Sequence, residues 1–207
     1  VIVIDPIYKV LTGDENNAAE MGVFTNLFDT IAAQLNCAVV FCHHHSKGSQ
    51  GGKRSADRGS GSGVFGRYPD AILDLVELII TPEARKQLFR LMGARALAKA
   101  AAAVGVDVVE AYGEDQAGDP AGLLLSLQMD HGEHADNFRE ALATANQAAA
   151  MMSGWRIECT LREFAKPDNA TCWFKFPIHM EDFTGMLKDA KAEGEEPAWE
   201  VAARLKK

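Results

Sequence analysis

Two short apolar runs, separated by one amphipathic stretch, define the pattern of the first part of the chain. Residues 1–4 are all apolar and end on Asp5, and residues 37–42 end on three consecutive histidines. β-Branched residues at successive positions predict strands that are buried on both faces, as at the centre of a parallel sheet. Polar residues at the carboxyl ends of such strands lie where open α/β sheets bind their ligands.

The stretch between the two runs, residues 18–36, predicts an amphipathic helix, with Asn16 or Asn17 as its N-cap. Strand, helix and strand in this order predict a right-handed crossover between parallel strands. Residues 71–80 predict a third strand of the same sheet, nearer its edge because charged residues such as Asp74 interrupt it. The apolar face of the helix comprises Met21, Phe24, Leu27, Phe28, Ile31 and Leu35.

Beyond residue 80 the pattern changes from strand-like to helical. Residues 81–153 are rich in Ala, Leu, Arg and Lys and predict a helical insertion. Residues 155–164 alternate with period two, and residues 171–176 return after a Pro-Asp-Asn turn, which predicts a β-hairpin. Residues 181–191 and 197–207 predict polar, amphipathic tail helices.

Composition narrows the class of protein only slightly. The net charge of −8 means that any nucleic-acid site must be a local basic loop. The four cysteines lie in apolar runs without CxxC spacing, so we expect buried free thiols and a cytoplasmic location. No apolar run reaches membrane-spanning length, so we expect no membrane association.

The residues at the two strand ends allow more than one interpretation. Asp5 is suited to hold the waters of a nucleotide-bound Mg²⁺, as a Walker B carboxylate does, or simply to cap a turn. One of His43, His44 and His45 is suited to sense a phosphate; the alternatives are solvated surface imidazoles or a metal site. Consecutive strand residues point to opposite faces, so the three histidines do not converge on one metal.

A basic loop rich in Gly and Ser, residues 46–62, follows the histidines. Its cations are Lys47, Lys53, Arg54 and Arg58, with Asp57 as the counter-charge. A charge run of this kind is usually just solvated. Here the glycines allow close approach to a phosphate, and the loop leads into a helix N-terminus. Either DNA phosphates or the nucleotide of a neighbouring subunit would fit this loop.

Four segments together resemble one family: VIVIDP, DENNAAEM, AVVFCHHHSKG and DRGSGSGVFGRYPDAILDL. They look like the carboxyl-side half of the RecA-like, AAA-type ATPase core of plasmid and phage replicative helicases of the RepA type. The resemblance covers roughly the first eighty residues. It implies a three-layer α/β/α P-loop NTPase core that is truncated at its N-terminus. Residues 1–80 would be the C-terminal half of this core, residues 81–153 a helical insertion, and residues 154–207 a β-hairpin and tail helices that complete the same domain.

The resemblance also implies the roles of the site residues. Asp5 would position Mg²⁺ through water, and His44 would sense the γ-phosphate of ATP with His43 packed behind it. The Ser and Lys of the HH-x-SK motif match Ser46 and Lys47, and Lys47 would either assist at the same nucleotide or reach DNA. The R-G-S motif matches Arg58, Gly59 and Ser60, with Arg58 acting from a flexible surface loop on the next subunit. The implied partners are single-stranded DNA and further copies of the chain in a ring, expected to be a hexamer.

The chain also departs from the family pattern. It has no GK[ST] phosphate-binding loop and no upstream catalytic glutamate, and it starts inside a strand. We therefore expect the carboxyl-terminal part of a longer ATPase, inactive without the preceding segment. Two alternatives remain open: a non-catalytic nucleic-acid-binding or regulatory module on the same fold, and a metal-dependent hydrolase that uses Asp5 and the histidines.

Overall fold

The computed structural model describes residues 1–53, 55–59, 61 and 63–196 of the chain. These residues divide into two compact units. The first unit comprises Val1–Glu77, Arg156–Ala170 and the described residues from Lys191 onward; the second comprises Leu78–Trp155 and Thr171–Ala190. The three-segment division made from the sequence has other boundaries and stays a prediction.

Two sheets are present in the described part of the chain. β1 and β2 form a two-stranded parallel sheet, and the other five strands form a sheet in the order β6-β5-β4-β3-β7. A mixed α/β class agrees with the sequence prediction, whereas the three-layer RecA-like arrangement stays a prediction. The strands are β1 (Ile2–Ile4), β2 (Val39–Phe41), β3 (Ala71–Ile79), β4 (Ser153–Leu161), β5 (Ala170–Lys175), β6 (Ile178–Glu181) and β7 (Lys191–Ala192).

The predicted parallel pair of strands is confirmed, but its burial on both faces is not. Ile2 pairs with Val39 and Ile4 pairs with Phe41, and Ile4, Val39 and Phe41 pack against the core of the first unit. On the opposite face Val3 is 64% exposed and Val40 is 48% exposed. In the described structure one face of this sheet is covered and the other is open.

Helix α1 (Ala18–Leu35) covers the buried face of the β1–β2 pair. Its N-cap is Asn17, whose side-chain oxygen accepts from the amides of Ala19 and Glu20, at 3.0 and 3.4 Å. Its C-cap, Asn36, adopts the left-handed conformation that ends many helices. The buried side chains of α1 agree with the predicted apolar face, but Leu27 and Leu35 are exposed. The buried apolar residues are Met21, Phe24 and Phe28.

The third predicted strand is present as β3, but the prediction that it joins β1 and β2 is wrong. Asp74, Val76 and Leu78 of β3 are buried, whereas Leu73 and Leu75 on the other face are exposed. This alternation suits a sheet with one covered face, not the doubly buried centre of a parallel sheet. β3 accordingly lies between β4 and β7 in the five-stranded sheet.

Helices dominate the second unit, as the composition of residues 81–153 predicts. Leu97, Leu123, Leu127 and Phe138 are fully buried together in its core. No helix among the described residues is long and apolar enough to cross a bilayer. The helices that follow α1 are α2 (Val64–Arg67) in the first unit and α3 (Pro82–Ala102), α4 (Val108–Tyr112), α5 (Glu114–Ala117), α6 (Pro120–Asp130) and α7 (Ala135–Ala150) in the second.

The predicted hairpin is confirmed, since β4 and β5 are neighbours in the five-stranded sheet. The predicted helix over residues 181–191 is wrong, because the chain there forms the end of β6, turns and the start of β7. Asp182 organises the turns by accepting from the amides of Thr184 and Leu187, at 3.3 and 2.7 Å. Burial raises the pKa of Asp182, but the hydrogen bond from the Thr184 hydroxyl, together with those from the amide of Leu187 and the indole of Trp173, outweighs it and the pKa is lowered. The predicted helix over 197–207 lies outside the described residues.

Two leucines of α6 provide a test of the core of the second unit. Leu127 is 0% exposed and Leu125 is 63% exposed. We expect Leu127→Ala to lower the free energy of unfolding by about 2–5 kcal/mol, because the truncation leaves a cavity. Leu125→Ala should change it by less than about 0.5 kcal/mol. Urea unfolding followed by circular dichroism measures both, and equal effects of the two changes would contradict the assigned core.

Candidate active site at the strand ends

The carboxyl ends of β1 and β2 lie side by side. The amide of Cys42 donates to the carbonyl of Ile4 at 2.9 Å, and the amide of Ile7 donates to the carbonyl of Cys42 at 2.9 Å. Asp5 directly follows β1, and His43 follows Cys42. The expected juxtaposition of Asp5 and the histidine run at one sheet edge is therefore present.

The carboxylate of Asp5 is exposed at this edge. Its backbone carbonyl accepts from the ammonium of Lys9 at 3.1 Å. Among the described residues no hydrogen bond or ion pair reaches the carboxylate oxygens themselves. An exposed carboxylate without a protein partner fits a water-mediated contact to a divalent cation such as Mg²⁺.

The three histidines have three different sets of partners. The ring of His43 packs on Phe65 with centroids 4.8 Å apart, and its Nδ1 lies 2.9 Å from the carbonyl of His44. Nε2 of His44 lies 2.7 Å from the hydroxyl of Tyr8. Nε2 of His45 lies 3.1 Å from Oδ1 of Asp74.

Because the three histidines have different partners, the structure bears directly on the alternative that they bind a metal ion. Among the described residues, no group of three or more His, Cys, Asp and Glu side chains is placed to hold a metal ion. The described geometry thus gives no support to a hydrolase whose metal is held by the histidines.

Ser46 and Lys47 follow the histidines with different surroundings. The Ser46 hydroxyl accepts from the ammonium of Lys53 at 2.8 Å, whereas the side chain of Lys47 is exposed. The amide of Ser46 donates to the carbonyl of Arg58 at 2.6 Å. Lys53, which the motif does not include, is therefore a second cation beside these residues.

Arg58 lies in a buried ion-pair network and not at the surface as expected. Its side chain is 3% exposed. Nη1 lies 2.9 Å from Oε2 of Glu158 and 3.5 Å from Oδ2 of Asp74, while Nε donates to the carbonyl of Gln50 at 3.2 Å. Two buried carboxylates attract the guanidinium out of water, which corrects the expectation of a flexible surface loop. The action of Arg58 on a neighbouring subunit stays a prediction.

The two other residues of the R-G-S motif have different positions. Gly59 forms an isolated antiparallel bridge with His45, which ties the loop back to the histidine run. Ser60 lies outside the described residues, so its predicted nucleotide contact stays a prediction.

The Gly-rich loop also contacts the segment around β7. The amide of Gly51 donates to the carbonyl of Glu193 at 3.0 Å, and the hydroxyl of Ser49 donates to the same carbonyl. A Cβ at position 51 would lie 2.7 Å from that oxygen, which explains why glycine is needed there. This part of the loop is therefore tied to the β7 segment through the carbonyl of Glu193.

The network continues from Glu158 along the sheet. Arg156 donates to Oε1 of Glu158 at 2.9 Å and pairs with Glu195 at 3.0 Å. Ser55 adds a hydrogen bond from its hydroxyl to Asp74. Sequence reasoning missed these roles, although one signal was present: Asp74 interrupts an otherwise apolar strand.

The network lowers the pKa of both buried carboxyl groups. Burial by itself raises the pKa of Asp74, but hydrogen bonds from His45 and Ser55 and the charge of Arg58 lower it overall. Burial likewise raises the pKa of Glu158, but the two neighbouring guanidiniums, Arg58 foremost, lower it overall. Both groups are therefore charged near neutral pH.

Comparison with known protein families gives a match for one part of the chain. Residues 1–50 match a family model described as AAA domain. No curated protein and no solved structure matches the chain. The matched stretch contains Asp5, the histidine run, Ser46 and Lys47, so this part of the chain is AAA-like and resembles a P-loop ATPase. The match supports nucleotide binding in general terms.

Removing the Arg58 side chain should destabilise the first unit. Arg58→Ala removes the guanidinium that Asp74 and Glu158 share and leaves them only their smaller set of other partners, so we expect a loss of about 3 kcal/mol in the free energy of unfolding. The control is Arg67→Ala, because Arg67 is exposed and donates to a carbonyl of its own helix turn. The control should cost less than about 0.5 kcal/mol. Denaturant unfolding measures both, and a neutral Arg58→Ala would contradict the buried network.

The lowered pKa values of Asp74 and Glu158 predict how the stability of the fold depends on pH. A carboxyl whose pKa is lower in the folded state stabilises the fold above its ordinary pKa, and this contribution is lost as pH falls through the folded value. Stability should therefore decline below about pH 5, given ordinary carboxyl pKa values near 4. Glu158→Gln removes one such group and should make the decline shallower.

The control for this dependence is Glu163→Gln, since Glu163 is exposed. This variant should keep the acid dependence of the parent chain. Melting temperatures between pH 3 and pH 7 provide the measurement. Parallel curves for Glu158→Gln and the parent chain would show that the pKa of Glu158 is not lowered by folding.

Proposed function

We propose that the protein is an ATP-driven, ring-forming ATPase of the replicative-helicase type, with a RecA-like core that acts on single-stranded DNA. One observation carries the proposal. The Asp5 carboxylate and the run from His43 to Lys47 meet at the ends of two paired parallel strands, within the fifty residues that match an AAA domain. That is the position in which α/β sheets bind ligands.

The roles of the side chains follow from their chemistry. Asp5 would hold Mg²⁺ through water, and the ion would neutralise charge on the phosphates. His44 donates an N–H to the γ-phosphate, and His43 packs behind it against Phe65. Lys47 is exposed and supplies a positive charge at the same edge, and Ser46 is oriented there by Lys53. Gly59 and Ser60 complete the R-G-S motif, and its proposed partner is the nucleotide of a neighbouring copy in the ring, which we propose is a hexamer.

Arg58 enters the proposal with one added condition. To act on the nucleotide of a neighbouring subunit, its guanidinium has to exchange Glu158 and Asp74 for phosphoryl oxygens. A phosphoryl group offers equivalent anionic acceptors, so the exchange replaces one set of charge-assisted bonds by another. Ring assembly would thus coincide with a rearrangement of the loop that carries Arg58.

The burial of the Arg58 guanidinium favours a second candidate function, a non-catalytic regulatory or nucleic-acid-binding module on this fold. If Arg58 stays between the two carboxylates in the assembled protein, its role is structural. The ATPase and the module differ in one measurable property, the hydrolysis of ATP.

Asp5→Asn tests the proposed ATPase in a form of the protein that includes a phosphate-binding loop, which residues 1–207 do not contain. Loss of the carboxylate misplaces Mg²⁺, so we expect the rate of ATP hydrolysis to fall by about 100-fold or more. The control is Asp70→Asn, whose exposed carboxylate pairs with Arg162 at 3.2 Å. This control should change the rate by less than about twofold, since exposed ion pairs contribute little.

The assay is steady-state phosphate release with and without a single-stranded oligonucleotide. Stimulation by the oligonucleotide in the parent protein supports action on DNA. Oligonucleotide binding without any ATP hydrolysis would favour the regulatory module. Parental rates in Asp5→Asn would exclude the role of Asp5 in the proposed mechanism.

A further inference from the structure

A tyrosine outside every motif contacts the proposed phosphate sensor. The hydroxyl of Tyr8 lies 2.7 Å from Nε2 of His44, and the two rings have centroids 5.5 Å apart with an angle of 35° between their planes. His44 is exposed, so general packing does not fix the orientation of its ring. The contact with Tyr8 is therefore suited to fix it.

Tyr8 itself is held by its neighbours in the chain. It lies in a single 3₁₀ turn, Ile7–Lys9, directly after Asp5 and Pro6. Ile7 is fully buried in the core of the first unit, and its amide donates to the carbonyl of Cys42. The turn is thus fixed to the ends of both strands, and Tyr8 extends from an anchored backbone toward His44.

We propose that Tyr8 is the positioning residue of His44: its hydroxyl donates to Nε2 and thereby places the imidazole proton on Nδ1, where it faces a phosphoryl oxygen. The nucleotide part of this inference rests on the proposed function. Phosphate oxygens accept hydrogen bonds, so the nitrogen that faces them has to carry a proton. A neutral imidazole has one N–H, and the partner of one nitrogen determines where that proton lies.

The surroundings of the His44 ring agree with this assignment. Among the described residues Nδ1 of His44 has no hydrogen-bond partner, so it is available to a ligand. A phenol O–H is a stronger donor than a neutral imidazole N–H, which favours donation by Tyr8. The neighbouring histidines lack an equivalent arrangement, because His43 uses its Nδ1 at a backbone carbonyl and His45 pairs with Asp74.

The first test does not depend on nucleotide. Two-bond ¹H–¹⁵N NMR of the full chain at pH 8 reports which nitrogen of each neutral histidine is protonated, and His44→Gln assigns the His44 signals. We expect His44 of the parent chain to carry its proton on Nδ1. In Tyr8→Phe the ring loses its donor, and the proton should move substantially to Nε2.

Tyr68→Phe is the matched control. The Tyr68 hydroxyl also makes a 2.7 Å hydrogen bond in the first unit, but it donates to the carbonyl of Thr25. This variant removes the same atom and its hydrogen bonding without touching His44, so the His44 tautomer should stay as in the parent. A parent chain with the proton on Nε2, or a Tyr8→Phe spectrum identical to the parent spectrum, would overturn the proposal.

The second test uses the form of the protein with a phosphate-binding loop and MgATP as the probe. Tyr8→Phe should lower kcat by about 3- to 10-fold, the effect of one hydrogen bond, while KM changes by less than about twofold. Tyr68→Phe should leave kcat within about twofold of the parent value. Unchanged kcat in Tyr8→Phe overturns the positioning role.

The two tests separate this inference from the proposed function. If the tautomer responds to Tyr8→Phe but His44→Gln hydrolyses ATP at the parental rate, His44 is not the phosphate sensor. That result overturns the nucleotide role of both residues, whereas the retained hydrolysis leaves the proposed ATPase in place and the Tyr8–His44 hydrogen bond itself exists. If His44→Gln abolishes hydrolysis and the tautomer is unaffected by Tyr8→Phe, the proposed function stands and the positioning role is wrong.

Discussion

The buried guanidinium of Arg58 is the interaction on which the first unit most depends. It lies between Asp74 of β3 and Glu158 of β4, so it joins the Gly-rich loop to two strands that are more than eighty residues apart in the chain. Charges in such a place are tolerated only when they are paired and hydrogen-bonded. Arg58 therefore compensates two buried carboxylates at once, and a loop that leaves the sheet removes the guanidinium from both of them.

The same network positions the candidate site. His45 is held by Asp74, and Gly59 bridges back to His45, so the end of β2 is connected to β3 through side chains and backbone. On the other side of the histidine run, the turn after Asp5 is fixed by Ile7 and presents Tyr8 to His44. The central histidine thus lies between two anchored neighbours while its own ring stays exposed. That combination suits a residue that contacts a ligand.

Arg58 also sets the condition under which the proposed ring would act. A guanidinium that reaches a neighbouring nucleotide has to leave two carboxylates, and those carboxylates then need other partners. Arg156 already pairs with Glu158 at 2.9 Å, and His45 and Ser55 already contact Asp74. The carboxylates would therefore keep part of their hydrogen bonding after Arg58 departs, which makes such an exchange physically reasonable. The buried position of Arg58 in a single copy is therefore compatible with its proposed action on the nucleotide of a neighbouring copy in a ring.

The local pattern of apolar and polar residues determined many of the helices and strands of this protein. Apolar runs and helical spacing sufficed for β1, β2, α1, the helical region and the β4–β5 neighbours, because these elements depend on nearby residues and on burial of one face. The juxtaposition of Asp5 and the histidines followed from the rule that parallel strands end at one edge of a sheet. The helix predicted over residues 181–191 was wrong, since amides of the following turns donate to the Asp182 carboxylate and turns replace a helix there.

Only the tertiary structure decided which charges meet. Arg58 has an ordinary loop sequence around it, and nothing local distinguishes a solvated arginine from one that is 3% exposed. Its burial depends on Glu158, one hundred residues away, and on the pairing of β3 with β4. The contact of Tyr8 with His44 spans thirty-six positions and likewise depends on the register of β1 and β2. A sequence determines how each segment tends to fold, but the energy of a buried ion pair depends on distance in space, which only the packed chain defines.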